Sequence, residues 1–189
     1  MMYNIIALIG EAGSGKDRTM QEILKTNSTL HEIISYTTRP MRQGEVEGVN
    51  YFYTTPDIFE EKILDGDMLE CTVFNDWYYG TSYDSLCKDK INIGVFNPSG
   101  IESLLAHSDC NIIVFWIKSS DKIRLIRQLN REINPNVREI IRRFQADYND
   151  FDNIKFDTIQ LINDTESDLK ANVKKILSQS DLFFTRGQN

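Results

Sequence analysis

One stretch constrains the fold of this chain more than any other: residues 10–17, which read Gly-Glu-Ala-Gly-Ser-Gly-Lys-Asp. An apolar run, Tyr3–Ile9, precedes it and predicts a buried parallel strand, and helical spacing follows from Thr19 to Lys25. Glycines let the backbone curl so that successive N–H groups point inward, and the positive end of the following helix adds to their field. The stretch therefore predicts a phosphate-binding loop for a nucleoside triphosphate.

Two residues at the end of this loop carry charge. We expect Lys16 to reach the β- and γ-phosphates as a mobile point charge. Asp17 stands where the pattern normally has a hydroxyl residue that binds magnesium. An ordinary tight turn is the alternative, but the preceding strand and the lysine argue against it. The predicted ATP contacts in this stretch are Gly10, Ala12, Gly13, Ser14, Gly15, Lys16, Asp17 and Arg18.

Composition narrows the classes of partner. The chain has 189 residues and a formal net charge of −7, which argues against general binding of nucleic acid or anionic membranes. The first residues lack a secretory signal, and the longest apolar stretch, Ile112–Ile117, is too short to span a bilayer. We therefore predict a cytoplasmic protein with small-molecule partners, and we predict no particular oligomeric state.

The cysteines do not indicate a metal site. Cys71, Cys87 and Cys110 are odd in number and lack metal-ligand spacing. We expect them to be reduced and mostly buried thiols.

Alternating strand and helix patterns along the chain predict an α/β fold with a mainly parallel sheet and helices on both faces. Residues 37–82 are predicted to form a β-rich insertion into a core made of residues 1–36 and 83–189. Residues 179–189 carry Phe183 and Phe184, which could dock on the core, and we expect the end of this tail to be mobile. The remaining strands are predicted at 31–36, 50–53, 68–74, 77–81, 91–96, 111–117 and 158–162, with a hairpin-like turn at Asn75-Asp76. The helices are predicted at 56–64, 99–106, 121–131, 137–151 and 165–178, the first of them capped by Thr55.

Two further groups of basic residues stand out along the chain. Arg39 and Arg42, beside hydroxyl groups and a tyrosine, suit a phosphate monoester because guanidinium groups form bidentate bonds to phosphate oxygens. A solvated loop with two surface arginines is the alternative. A second group flanks Asn134-Pro135-Asn136, and its alternative interpretation is a charged helical face paired with Glu132 and Glu139. Its members are Arg124, Arg127, Arg131, Arg138, Arg142 and Arg143.

The stretch from Ser35 to Tyr51 resembles the signature of guanylate kinases, Ser-x-Thr-Thr-Arg-x-x-Arg-x-Gly-Glu-x-x-Gly-x-x-Tyr. Leu69-Glu70 and Tyr79-Gly80-Thr81 look like the second nucleotide-binding stretch of the same family. With the phosphate loop, three motifs stand in family order and cover nearly the whole chain. The resemblance implies a P-loop three-layer fold, a nucleoside-monophosphate-binding subdomain at 37–82 and a helical lid at about 127–143.

The resemblance also implies residue roles. Glu70 matches the carboxylate that accepts hydrogen bonds from guanine N1–H and the exocyclic amine, with a solvated strand carboxylate as the alternative. Asn163 matches a segment near the donor adenine, with a strand-end cap for the last helix as the alternative. The implied substrate contacts are Ser35, Arg39, Arg42, Tyr51, Glu70, Tyr79, Thr81 and Asn97. The implied catalytic cations are Lys16, Arg131 and Arg143, with Arg142 nearly as good a match.

Two departures from the family pattern concern carboxylates. Where the family commonly has Asp-x-Asp-x-x-Gly, residues 95–100 read Val-Phe-Asn-Pro-Ser-Gly, so both expected carboxylates are absent. At position 17, an aspartate replaces the usual hydroxyl residue. One hypothesis is that Asp17 binds Mg²⁺, a hard cation that prefers oxygen ligands. The competing hypothesis is that Asp17 repels the triphosphate and weakens the kinase. Asn97 offers an amide in the base pocket, so the preference for guanine is less strict.

The resemblance implies ATP-dependent, Mg²⁺-assisted phosphorylation of a nucleoside monophosphate by in-line transfer, with GMP or dGMP converted to GDP or dGDP. Two anion pockets are expected to face each other across a closable cleft. Two alternatives remain open. One is a catalytically idle binding module that holds a phosphorylated peptide, and the other is a P-loop kinase for a different phosphorylated small molecule.

Overall fold

A computed structural model describes residues 2–42, 44–74, 76–131 and 133–186. The larger sheet has the strand order β2-β7-β1-β8-β9, in which β2 pairs with β7 and β8 with β9 in parallel. A smaller sheet has the order β4-β3-β6-β5. The elements are β1 (Tyr3–Ile9), α1 (Lys16–Thr26), β2 (His31–Glu32), β3 (Tyr36–Thr37), β4 (Phe52–Tyr53), α2 (Pro56–Leu64), β5 (Met68–Phe74), β6 (Trp77–Ser82), β7 (Asn92–Val95), α3 (Pro98–Leu105), β8 (Cys110–Lys118), α4 (Asp121–Leu129), α5 (Val137–Phe151), β9 (Ile159–Ile162) and α6 (Glu166–Arg186).

The chain divides into two compact units. The first holds the residues up to Ile5 together with Thr29–Gly94 and Ser99–Ile112, and the second holds Ile6–Ser28, Val95–Pro98 and the residues from Ile113 onwards. The predicted insertion at 37–82 falls inside the first unit, and its boundaries stay a prediction.

The smaller sheet belongs to the first unit. Strands β5 and β6 form an antiparallel pair, and β3 lies antiparallel to β6 and parallel to β4. Helix α2 begins as the sequence predicts, because the Thr55 side chain accepts a hydrogen bond from the Ile58 N–H and Pro56 occupies the first turn. The fully buried ring of Phe59 stacks on Tyr78 with ring centres 5.2 Å apart, which fixes α2 on the sheet.

The second unit contains the longest apolar elements. Its part of β1 is buried at every residue, as expected of a strand covered on both faces. Helix α6 packs against α1 and β9, and α4 packs against α5. Among the described residues no helix is both long enough and apolar enough to cross a membrane.

Most predicted elements match the structure within a few residues, and β1, β5 and α5 match at both ends. The prediction of one strand over 31–36 is wrong. The segment contributes β2 to the larger sheet and β3 to the smaller one, because the Ile33 N–H bonds to the Ile93 carbonyl while the Ser35 carbonyl accepts from Phe52. The predicted turn at Asn75-Asp76 lies partly outside the described residues, since Asn75 is not among them.

The last helix is longer than predicted, and Phe184, one of the two phenylalanines that could dock, is buried. Helix α6 continues to Arg186, and the Phe184 side chain is only 5% exposed. Each buried residue along the helix has another buried residue three or four positions away, as expected when one face of a helix is covered. The buried residues are Leu169, Asn172, Val173, Ile176, Ser180 and Phe184. Residues 187–189 lie outside the described part.

The cysteines are free thiols, but the prediction that they are mostly buried is wrong. Cys71 is exposed, and Cys87 and Cys110 are half-buried. Cys71 lies on β5, where the neighbouring Leu69 and Glu70 side chains are buried instead. Burial, reinforced by Asp109, raises the pKa of Cys110 to about 12, so this thiol stays protonated at neutral pH.

Candidate active site

The phosphate loop joins the end of β1 to the start of α1 in the second unit. Gly13 and Gly15 have φ angles of 83° and 90°, in the left-handed region that favours glycine. A Cβ atom at Gly13 would lie 2.7 Å from the Arg124 carbonyl oxygen, so space as well as conformation requires glycine there. Helix α1 begins at Lys16, and its first N–H groups have no partner within the helix. The loop therefore has the anion-binding form that the sequence predicts.

The charged residues at the start of α1 lie close together. The Lys16 Nζ lies 3.8 Å from a carboxylate oxygen of Asp17, whose side chain is 78% exposed. Arg18 forms an exposed ion pair of 2.7 Å with Glu166 at the start of α6. Asp17 is thus accessible to a ligand, while the guanidinium of Arg18 already has an anionic partner.

Side chains of α4 bind the carbonyl groups of the loop, a function that the sequence analysis missed. Arg124 Nε and Gln128 Nε2 donate to the Ala12 carbonyl at 3.1 and 3.3 Å. Arg127 donates to the carbonyls of Gly13 and Ser14. Their spacing of three and four residues places them on one helix face, which was the available signal. Both arginines had been assigned to the basic group that flanks Asn134-Pro135-Asn136 in the region of the predicted lid.

Asp147 on α5 is a second residue that the sequence analysis missed. Its carboxylate accepts a hydrogen bond of 2.9 Å from the Ala12 N–H and also pairs with Arg124, which is 2% exposed. Burial raises the pKa of Asp147, while the Ala12 amide, Arg124 and Lys16 act in the opposite direction. Asp147 therefore links α4, α5 and the phosphate loop.

Asn163 lies behind the loop. Its side chain is 3% exposed and donates 2.8 Å to the Ser14 carbonyl, and its backbone N–H donates to Lys118. The alternative that Asn163 caps the last helix is wrong. Thr165 caps α6 in a reciprocal arrangement with Asp168, in which each side chain bonds the backbone N–H of the other. A contact between Asn163 and the donor adenine stays a prediction.

Two of the predicted lid arginines, Arg142 and Arg143, have an acidic partner on their own helix. Arg142 bonds both carboxylate oxygens of Glu139 at 2.7 and 2.9 Å, and Arg143 bonds one of them at 2.9 Å. The hydrogen bonds from Arg142 are the main reason that the pKa of Glu139 falls to about 2. Arg131 is exposed beyond the end of α4. Glu132, part of the predicted lid, lies outside the described residues, and the catalytic roles of these arginines stay predictions.

Arg39 lies in the first unit and is 4% exposed. Its Nη2 bonds both carboxylate oxygens of Glu45, and its Nη1 donates 2.8 Å to the Pro40 carbonyl. Glu45 also accepts hydrogen bonds of 2.7 Å from the Arg42 N–H and the Tyr53 hydroxyl. The Arg39 hydrogen bond is the main cause that lowers the pKa of Glu45 to about 2. The interpretation as a surface arginine is therefore wrong for Arg39, whereas Arg42 is exposed.

Aromatic rings surround the Arg39 guanidinium. Its central carbon lies 5.5 Å from the centre of the Tyr51 ring, which meets the Tyr79 ring edge-on at 5.9 Å. Ser35 is half-buried, and its carbonyl accepts from Phe52. Several of the predicted phosphate contacts are thus neighbours in the structure.

Glu70 and Thr81 are paired across β5 and β6. The Thr81 hydroxyl donates 2.8 Å to the Glu70 carboxylate, and the two residues oppose each other in the strand register. Glu70 is 9% exposed, so the alternative of a solvated strand carboxylate is wrong. Burial raises the pKa of Glu70 to about 7, against the hydrogen bonds from Thr81. Asn97, predicted to share this base pocket, is exposed and belongs to the second unit.

Across the described ranges there is no group of three or more His, Cys, Asp or Glu side chains that could hold a metal ion. Asp17 nevertheless fits Mg²⁺, which proteins usually bind through one or two carboxylates together with water and substrate phosphates. Its exposed carboxylate next to Lys16 has the required chemistry.

Comparison with known proteins assigns the family. The sequence model of the guanylate kinase family matches residues 2–180. A guanylate kinase from Wigglesworthia glossinidia brevipalpis is 30% identical over 93% of this chain and 91% of its own length. This chain belongs to the guanylate kinase family.

Other guanylate kinases match over shorter stretches or in fold alone. The relative from Clostridioides difficile is 43% identical over 77 residues, which are 41% of this chain and 38% of the relative. The match with the relative from Shouchella clausii covers 43% of that protein. The crystal structure of guanylate kinase from Anaplasma phagocytophilum, at 15% identity, has a TM-score of 0.66 over 94% of this chain and 85% of that one. The predicted family and the predicted P-loop α/β fold with a mainly parallel sheet are both confirmed.

Proposed function

We propose that the protein transfers the γ-phosphoryl group of ATP to GMP, giving ADP and GDP, and that dGMP is the other good acceptor. Membership of the guanylate kinase family supports this activity. The observation that carries the proposal is the intact phosphate loop, with Lys16 at the start of α1 and glycine at both left-handed positions. A module that only binds a phosphorylated peptide has no use for this loop.

On the donor side, the loop N–H groups and Lys16 bind the triphosphate of ATP. Asp17 is the residue that would hold Mg²⁺, directly or through water. The ion, when bound, supplies positive charge to the β- and γ-phosphate oxygens. Asn163 and Arg18 are the further donor-side contacts of this proposal.

On the acceptor side, Arg39 and Arg42 bind the GMP phosphate, with hydroxyl donors from Ser35, Tyr51 and Tyr79. Glu45 supports this role because it holds the Arg39 guanidinium at a fixed position. A preformed guanidinium loses less conformational freedom when it binds phosphate.

Glu70 recognises the base. Guanine presents two adjacent donors, N1–H and the exocyclic amine, and an ionised carboxylate accepts both. Adenine presents an acceptor at N1, so the same carboxylate discriminates against AMP. Thr81 orients the Glu70 carboxylate through its hydroxyl, and Asn97 is proposed to contribute an amide to base recognition.

Transfer needs no covalent intermediate with the enzyme. An oxygen of the GMP phosphate forms a bond to the γ-phosphorus while the bond from that phosphorus to the β,γ-bridging oxygen breaks, and ADP leaves. Lys16 and the arginines at 131, 142 and 143 neutralise the charge on the transferring group. Arg142 and Arg143 must exchange their bonds with Glu139 for this role, so it requires movement within the lid.

The test is a coupled assay of ADP release with GMP, dGMP, AMP, UMP and dTMP as acceptors. We expect GMP and dGMP to give the highest kcat/KM and Lys16→Met to abolish turnover with both. A preference for another nucleotide would assign a different kinase activity. Absence of ADP release with every acceptor would contradict the proposal and favour a binding module. We propose that these small nucleotides are the partners of the protein and that it acts in the cytoplasm.

A further inference from the structure

The Arg127 guanidinium contacts five polar groups behind the phosphate loop. Its Nη1 lies within hydrogen-bond distance of two loop carbonyls and one hydroxyl, and its Nη2 lies close to two carbonyls in the turn after β9. The Nη1 partners are the Gly13 carbonyl at 3.2 Å, the Ser14 carbonyl at 3.1 Å and the Ser119 hydroxyl at 2.9 Å, and the Nη2 partners are the carbonyls of Asn163 at 2.8 Å and Asp164 at 3.2 Å.

We infer that Arg127 is a positioning residue for ATP: it fixes the peptide planes of the phosphate loop and so sets the affinity for the triphosphate without contacting the nucleotide. This inference rests on the proposed use of the loop for ATP. It assigns Arg127 to the framework of the loop, although the sequence analysis had placed this residue at the edge of the predicted lid.

The carbonyl groups of the phosphate loop are held towards helix α4. Three consecutive carbonyls, those of Ala12, Gly13 and Ser14, accept hydrogen bonds from side chains of α4. In a trans peptide the carbonyl and the following N–H point in opposite directions. Bonds that hold the Ala12 and Ser14 carbonyls towards α4 therefore direct the N–H groups of Gly13 and Gly15 away from it.

The middle peptide has a different function. The Ser14 N–H donates 3.0 Å to the Glu11 carbonyl and closes a turn inside the loop. The loop is thus held from two sides, by its own turn and by Arg127. This arrangement pre-orients donors before the ligand arrives, which lowers the cost of ordering them on binding.

The Arg127 guanidinium lies close to Gly15 at the end of the loop. A Cβ atom at Gly15 would lie 3.4 Å from Arg127 Nη1 and would collide with the Asn163 amide. The Asn163 amide also donates to the Ser14 carbonyl, and the Ser119 hydroxyl lies 3.2 Å from it, so three side chains contact this carbonyl from behind the loop. The glycine preceding Lys16 is therefore required by this network as well as by its φ of 90°.

The contacts of residue 127 suit an arginine better than a lysine or a methionine. A guanidinium presents five donors in a planar fork, whereas an ammonium presents three donors at a single nitrogen. Arg127 uses the two ends of its fork to join the loop to the turn at Asn163 and Asp164. Lysine keeps the charge but reaches one of these two groups at a time, and methionine removes all of the donors that Arg127 supplies.

The experiment measures binding by calorimetry in the presence of Mg²⁺ for Arg127→Met, Arg127→Lys and the control Lys122→Met. Lys122 is an exposed residue of α4, so its replacement removes a positive charge from the same helix. The probes are ATP, inorganic tripolyphosphate and GMP. Thermal unfolding of each variant reports whether it remains folded.

For Arg127→Met we expect the Kd values for ATP and for tripolyphosphate to rise by the same factor, roughly 10- to 100-fold. The Kd for GMP stays within about twofold, Arg127→Lys shows an intermediate loss, and Lys122→Met shows none. If Arg127→Met does not fold, the Arg127→Lys variant decides by the same criterion.

Three results would overturn the inference. Unchanged tripolyphosphate binding with weakened ATP binding would mean that Arg127 contacts the nucleoside. A change no larger than that of Lys122→Met would mean that the loop does not need Arg127. Equal losses for ATP and GMP would mean a general structural effect. All three are read from binding, so failure of the proposed transfer to GMP is a separate outcome.

Discussion

The two carboxylate oxygens of Glu45 lie 2.8 and 3.0 Å from a single nitrogen of Arg39, the Nη2. The guanidinium is almost completely buried, and the rings of Tyr51 and Tyr53 lie within 6 Å of its central carbon. Glu45 thus balances a buried charge and fixes its position. The residue belongs to the Gly-Glu pair of the signature, but the sequence analysis gave it no role.

Glu45→Gln should lower the free energy of unfolding by about 2 kcal/mol at pH 7, because the amide leaves Arg39 without its anionic partner. It should also raise the KM for GMP by about tenfold. Glu61→Gln, an exposed change in the same unit, is the control. Urea unfolding and steady-state kinetics measure both effects, and a stability equal to that of the control would show that the pair is unimportant.

The same pair should contribute to acid sensitivity. The pKa of Glu45 in the folded protein, about 2, is below its ordinary value of 4.5. Its contribution to stability is therefore present above pH 4.5 and is lost as the pH falls towards 2. Glu45→Gln should show a flatter acid limb than the wild-type protein in denaturant titrations across this range.

Glu70 should have the opposite effect on stability. Its pKa in the folded protein, about 7, is above its ordinary value of 4.5, so the folded state binds the proton more tightly than the unfolded state. The free energy of unfolding should therefore fall by about 3 kcal/mol as the pH rises from 4.5 to 7. Glu70→Gln keeps the acceptor for Thr81 and should remove this fall.

GMP binding should depend on the same proton. Only the ionised carboxylate accepts both guanine donors, so the wild-type affinity for GMP should rise between pH 6 and 8 more steeply than that of Glu70→Gln. Comparison of the two proteins cancels the titration of the GMP phosphate itself. Parallel pH profiles would show that Glu70 does not bind the base.

Asp17 is expected to be a magnesium ligand. Asp17→Asn and Asp17→Ser should each change the Mg²⁺ concentration needed for half-maximal phosphoryl transfer, with a rise of about tenfold for the asparagine variant. Titration of Mg²⁺ at fixed ATP measures this. An unchanged requirement in both variants would exclude the ligand role, and higher activity in both would support repulsion of the triphosphate by Asp17.

Asp147 should stabilise the second unit through its bonds to Arg124 and the Ala12 N–H. Asp147→Ala leaves a buried guanidinium with Asp121 as its remaining carboxylate partner, so we expect a loss of about 3 kcal/mol. Asn149→Ala, an exposed change on the same helix, provides the control for helix propensity. Thermal unfolding compares the two, and similar midpoints would contradict the role of Asp147.

The sequence predicts the parts of this molecule that depend on local pattern. Strand β1, helix α5 and the cap at Thr55 follow from hydrophobic period and capping chemistry, and each lies where it is expected. The split of residues 31–36 between two sheets was not predictable in this way. It depends on strand partners far along the chain, β7 for one half and β6 for the other.

The candidate site divides similarly. The glycines of the loop and the place of Glu70 and Thr81 in one nucleotide-binding stretch could be inferred from motifs, because each lies within a recognisable stretch. Arg127 and Asp147 could not, since their partners in the loop are more than 100 residues away. The spacing along α4 places its arginines on one helix face, but it does not show which loop that face meets.

The most direct test of the account is the amount of GDP formed from GMP and ATP, measured by chromatography for the wild-type protein, Lys16→Met and Arg39→Leu. The account predicts equal amounts of GDP and ADP with the wild-type protein and at least 100-fold slower formation of both with either variant. ADP without GDP, or no turnover although both nucleotides bind, would contradict it.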